Sequence, residues 1–104
     1  MEKVQDIFAQ LDDVIATQNE VIAKIRNDFS AAIIDSYGKI QQSAYAEIKK
    51  ARKALEKENY IDMPDIWDEA HAKYIAINDN ALKINRAYEE ELKKELEMIL
   101  LERC

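Results

Sequence analysis

The chain has 104 residues, of which 35 % are charged and 48 % hydrophobic, with a net charge of −6 and one Gly, one Pro and one Cys. That length holds one small domain at most, and so little Gly and Pro leaves almost no turn chemistry, which points to long helices. A lone Cys, Cys104, excludes an intrachain disulfide scaffold and suits a reducing cytoplasm.

The first residues, MEKVQDIFAQLDD, carry acids where a signal peptide needs bases. No apolar run approaches the roughly 20 residues of a membrane-spanning helix, so a soluble chain with no membrane partner is expected. From there apolar residues recur at three- and four-residue steps: Val4, Phe8, Leu11, Ile15, then polar Gln18, then Ile22, Ile25, Phe29, Ile33, Tyr37, Ile40, Ala44, Ile48, Ala51 and Leu55. The stripe continues through Gly38, and nothing after Gly38 resembles a fresh helix cap. It predicts a first helix over about residues 3–57, roughly 80 Å long at 1.5 Å per residue.

A corner over residues 58–64 follows, ENYIDMP, where Pro64 pushes Met63 out of helical geometry yet is well tolerated in a first helical turn. Asp65, Asp68 and Glu69 then sit where a helix N-terminus favours negative charge. The second helix is predicted over about residues 64–102, with Trp67, Ala70, Tyr74, Ile77, Ala81, Ile84, Tyr88, Leu92, Leu96 and Ile99 along one stripe. Folding it back on the first matches the two stripes with residue numbers adding to 121 or 122, from Ile99 with Ile22 and Leu96 with Ile25 to Trp67 with Leu55. Both stripes depart from heptad spacing at the same level, which favours this register. Charges add weaker support, with Lys57 opposite Asp65, Lys53 opposite Asp68 and Glu69, Asp28 opposite Lys93 and Lys24 opposite Glu97, against one like-charge pair, Lys39 with Lys83.

The expected fold is therefore all-α: a long antiparallel helical hairpin, in effect a two-helix coiled coil, with a three-helix bundle broken at Gly38 as the alternative. In the hairpin the first 18 or so residues have no intrachain neighbour. Val4, Ile7, Phe8, Leu11, Val14 and Ile15 form a broad apolar face there, broader than a solvated helix should carry, and are the predicted protein-interaction residues. A second copy of the chain, giving a homodimer, or a helix of a partner protein would cover them. Tyr60, Ile61, Met63 and Ile66 crowd the corner as a possible secondary contact.

Catalytic signals are weak. The letters DEAH at Asp68–His71 lack the Gly-rich phosphate loop that gives that motif its chemistry. Asp68 and His71 have a spacing at which helices share a metal, but the register sets Lys50, Ala51, Lys53 and Ala54 opposite, which are poor neighbours for a cation. His71, Asn78 and Asn85 form a polar column that is either a ladder aligning a second chain or a solvated flank. The basic run KKARKALEK, Lys49–Lys57, is matched by the helix C-terminus and the acids facing it, and the acid excess lies in residues 58–104, with twelve acids to six bases. No nucleic-acid, cofactor or small-molecule site is expected, nor an enzyme. These residues read as a non-catalytic assembly or adaptor module for protein–protein interaction. The alternatives are a small acidic regulator or inhibitor binding a basic surface and, with only one His, a metal-binding ferritin-like protein.

Overall fold

The computed structural model describes the backbone of residues 2–28 and 31–103 and the side chains of residues 3–28 and 37–102. It is all-α. Helix α1 spans Glu2–Asn27, α2 spans Ala31–Lys57, a short 3-10 turn covers Tyr60–Asp62, and α3 runs from Pro64 to Arg103.

The single long first helix expected from the stripe is corrected: two helices occupy that length, and the chain reverses direction between Asn27 and Ala31. The Asp28 N–H still bonds the Lys24 carbonyl at 2.7 Å, the last helical-type bond of α1. Asn27, Asp28 and Ser30 are residue types whose side chains compete for backbone hydrogen bonds and so favour helix ends, whereas Lys24 and Arg26 complement the carbonyl end of α1. Phe29 lies outside the described residues, as do the Ile33 side chain and Cys104. The alternative break at Gly38 is also corrected, because α2 runs through Gly38 without a positive φ.

The start of α1 therefore returns to the end of α2. Lys3 Nζ donates to Glu58 Oε1 at 2.9 Å, which makes α1 and α2 antiparallel. Against α3, by contrast, α1 runs parallel: Lys73 Nζ donates to Asp12 Oδ1 at 2.6 Å and Gln18 Nε2 to the Ile77 carbonyl at 3.1 Å. Helices α2 and α3 are antiparallel, as the hairpin register required of this segment. Tyr37 stacks on Tyr88 with centroids 5.0 Å apart, and Gln41 Nε2 donates to the Ala81 carbonyl and to Asn85 Oδ1. None of the ion pairs expected from the hairpin register is formed among the described residues; Arg52–Glu56 and Lys94–Glu91 are local pairs within α2 and α3.

Alanines explain why a third helix enters. In a two-helix seam Ala51 would face Ala70, leaving too little side chain to close the core. The core cluster instead joins Ala44, Ala51 and Leu55 of α2 and Ala70, Tyr74 and Ile77 of α3 to Val4, Phe8 and Leu11 of α1. Large side chains from α1 thus fill the space over small ones on its neighbours, the interlocking that dense interiors require. A second cluster continues it toward the other end, with Val21, Ile22 and Ile25 of α1 against Ile84 and Ala87 of α3. This corrects the expected pairing of Ile22 with Ile99 and Ile25 with Leu96.

Gln18, the polar gap in the α1 stripe, is fully buried, and its bond to the Ile77 carbonyl lies one helical turn from the bond Gln41 makes to Ala81. The two amides pin α1 and α2 to successive turns of α3. The Gln18 and Gln41 Oε1 atoms and the Tyr74 hydroxyl have no hydrogen-bond partner among the described residues. At the corner, Asn59 takes the left-handed conformation at φ 61°, and the Met63 N–H bonds the Tyr60 carbonyl at 3.0 Å. Pro64 then opens α3. Trp67 is partly buried at this end of the core, 6.4 Å from Tyr74 edge-on, and exposed His71 lies against its ring at 5.6 Å.

The whole measures 63 × 21 × 17 Å. Its 40-residue α3 accounts for the long dimension, at about 60 Å for 1.5 Å per residue. Helix α1, with 26 residues, is roughly 20 Å shorter.

Candidate protein-interaction surfaces

The residues assigned to an interaction face in α1 lie differently in the structure. Val4, Phe8 and Leu11 are buried in the core of their own chain, and Ile7, Val14 and Ile15 are partly buried against it. Sequence reasoning left them uncovered because it extended α1 into α2, and so had no third helix to pack there. Two members of that face still reach an open surface. Val14 lines a cavity of about 380 Å³ between α1 and α2, with Gln18, Ile40, Ala44, Asp13 and Lys50 among its other walls. Ile7 lines a second of about 310 Å³ with Lys3, Ala54 and Glu58, further toward the corner.

Of the corner residues, Tyr60 and Ile66 pack against the core, Ile61 is partly buried and Met63 is exposed. The column of His71, Asn78 and Asn85 is mostly solvated: His71 and Asn78 are exposed, while Asn85 accepts from Gln41 at 3.3 Å. Among the described residues no group of three or more His, Cys, Asp or Glu is placed to hold a metal. No helix there is long and apolar enough to cross a membrane.

Among the described residues, six of the ten exposed large hydrophobic side chains lie at the far end of α3, between Leu92 and Leu101. The contacts of α1 with α3 join residues 59 to 61 apart in number, so α1 ends beside about residues 86–88 of α3. Past that level Leu92 and Ile99 carry on the buried face of α3, 39 and 45 % exposed, and Leu96 and Leu100 extend it to one side, 54 and 63 % exposed. At 3.6 residues per turn these four share one stripe, and Met98 and Leu101 are exposed on the other sides. The sequence placed Leu92, Leu96 and Ile99 in an intrachain seam. Six apolar residues between 92 and 101, distributed around the helix, were the available sign that one partner helix would not cover them all.

The stripe is edged by carboxylates. Glu91, Glu95 and Glu102 fall along one side at helical spacing, and Glu89 and Lys93 along the other, with Glu97 further round the helix. Over residues 89–102 there are six acids and two bases. Glu91 is the least exposed of the acids, its carboxylate 3.1 Å from Lys94 Nζ.

Comparison of the chain with protein-family models, with curated proteins and with solved structures returns no match.

Proposed function

We propose that this protein is a non-catalytic interaction module of the cytoplasm, whose three helices hold out the end of α3 as the docking element. The observation that carries this reading is the stripe of Leu92, Leu96, Ile99 and Leu100, continuous with the core face of α3 but beyond the reach of α1. Full burial of an aliphatic side chain is worth about 1.5–3 kcal/mol, so four that are about half exposed hold roughly 4 kcal/mol in reserve for an occupant. Exposed apolar surface of this continuity on a stable helix is characteristic of interaction sites.

A photo-reactive residue at position 96, compared with one at exposed Asp79 on the solvated part of α3, tests the reading in cells. The expected result is a discrete adduct from position 96 alone, with a protein that rebinds the purified wild type but not the Leu96→Glu, Ile99→Glu variant. Equal adduct patterns from both positions, or rebinding that ignores the double substitution, would refute it.

A second reading, a small acidic regulator held on a basic surface by charge alone, is favoured by the net charge of −6. Such a complex dissolves as salt shortens the Debye length from about 10 Å at 0.1 M to about 3 Å at 1 M, whereas one seated on the leucine stripe persists.

A further inference from the structure

Resting on the interaction reading above, we infer that the α3 stripe takes an amphipathic helix whose flanks are basic, from a different protein rather than from a second copy of this chain. The argument is one of edges. When two helices pack along a seam, the residues beside the seam meet their counterparts on the partner, and their charges decide which partner and which direction are accepted.

With Leu92, Leu96 and Ile99 as the seam, one edge of α3 presents Glu91, Glu95 and Glu102, of which Glu91 is paired with Lys94 while Glu95 and Glu102 have no ion pair among the described residues. The opposite edge presents Glu89 and Lys93, with Glu97 further round the helix. In an antiparallel pairing of two copies each edge meets its own kind, so Glu95 and Glu102 face the same carboxylates of the other copy. In a parallel pairing the residue five positions on is the counterpart, so Glu95 meets Leu100 and Lys93 meets Tyr88. One direction sets carboxylate against carboxylate, and the other brings no opposite charges together. Two copies of residues 89–102 would also bring twelve acids beside four bases.

A helix with leucine-type residues on one face and Lys or Arg on both flanks meets carboxylates along both edges, with Lys93 the one like charge among the edge residues named. Glu95 and Glu97 are exposed and have no ion pair among the described residues, so a partner's cations would find them unengaged. The α1–α2 groove, which is also open, has mixed charge at its walls, with Asp13 and Lys50 at one cavity and Lys3 and Glu58 at the other. It gives no comparable selection.

Two synthetic three-heptad peptides, with Leu at both seam positions and either all Lys or all Glu on the flanks, test this against the purified full chain by calorimetry. The Lys-flanked peptide should bind at least about tenfold more tightly at low salt, with the gap closing as salt is raised. Replacing Glu95→Lys and Glu102→Lys, both at the solvated end of α3, should narrow or reverse the preference. A Leu96→Asn, Ile99→Asn variant, with its charge unchanged, should bind neither peptide. Equal binding of both peptides, lost in the Asn variant, would overturn the charge selection while leaving the interaction surface standing. Binding of the Lys peptide that survives in the Asn variant would show general electrostatic attraction and overturn the seam. A wild-type dimer in sedimentation that the Asn variant dissolves would make a second copy the occupant, against this inference. A monomer that binds neither peptide would overturn both the inference and the reading beneath it.

Discussion

Replacing Leu11 by Ala tests whether α1 belongs to the core of its own chain. Leu11 is 1 % exposed, in one cluster with Phe8, Ala44, Ala51, Ala70 and Ile77. The substitution removes buried carbons and leaves a cavity, a combination that costs about 2.7–5 kcal/mol for well-buried leucines. Several neighbours here are already alanines, so few side chains are long enough to swing into the vacated space. A loss of about 3 kcal/mol or more is therefore expected, a large share of the roughly 5–15 kcal/mol that stabilises a small domain. With a urea dependence of about 1–3 kcal/mol per molar, the midpoint should fall by roughly 1.5 M. Leu96→Ala, at a 54 % exposed site, should by contrast stay within about 0.5 kcal/mol of the wild type. Urea denaturation followed by circular dichroism, at protein concentrations a hundredfold apart, measures both effects. The Leu11 loss should be the same at both concentrations, because every neighbour in the cluster is on the same chain. A loss below about 1 kcal/mol would refute the packing of α1. So would a wild-type midpoint that climbs with concentration while the Leu11→Ala midpoint does not, since that is the behaviour of an interchain seam.

Gly38→Ala should stabilise the protein by about 0.5–1 kcal/mol, since Gly38 lies inside α2 and an added Cβ meets nothing within 4 Å; thermal melting that shows a clear loss would contradict the helical assignment. Gln18→Leu should hold or raise the urea midpoint, because it trades one hydrogen bond to Ile77 and a buried oxygen with no partner among the described residues for apolar packing, and a loss above about 2 kcal/mol would show that the amide has a second partner. Tyr74→Phe should likewise stay within about 1 kcal/mol at neutral pH, as the buried hydroxyl has no hydrogen-bond partner among the described residues. Burial raises the Tyr74 pKa above the usual phenol value of about 10, so its stabilising share is fully present below that pH and is lost as pH rises through the folded value. The Phe variant should therefore lose less stability than the wild type in alkaline melts, and an identical alkaline slope in the two proteins would count against this burial.

Much of the architecture was legible because it is local. One Gly and one Pro leave helices as the default, and Pro64 followed by Asp65, Asp68 and Glu69 marks the start of α3 through chemistry confined to one turn. The antiparallel relation of α2 and α3 was also legible, since stripe matching works wherever two faces meet. The end of α1 was not. The stripe passes from Ile25 to Phe29 and Ile33 without losing phase, and periodicity reports which face is buried, not whether the backbone carries on. Asn27 and Asp28 are residue types that favour a helix end, a local signal that periodicity does not register.

The composition fixed an all-helical chain with more apolar surface than one pair of helices can bury; it did not fix which part of that surface would stay outside. The tertiary fold assigned Val4, Phe8 and Leu11 to the core and left Leu92, Leu96 and Ile99 exposed, the reverse of the hairpin reading. The reason is steric and global. Alanines on α2 and α3 leave a trough that the large side chains of α1 fill, and once α1 turns back at Asn27 it lies beside the first part of α3 and has no length left for the last.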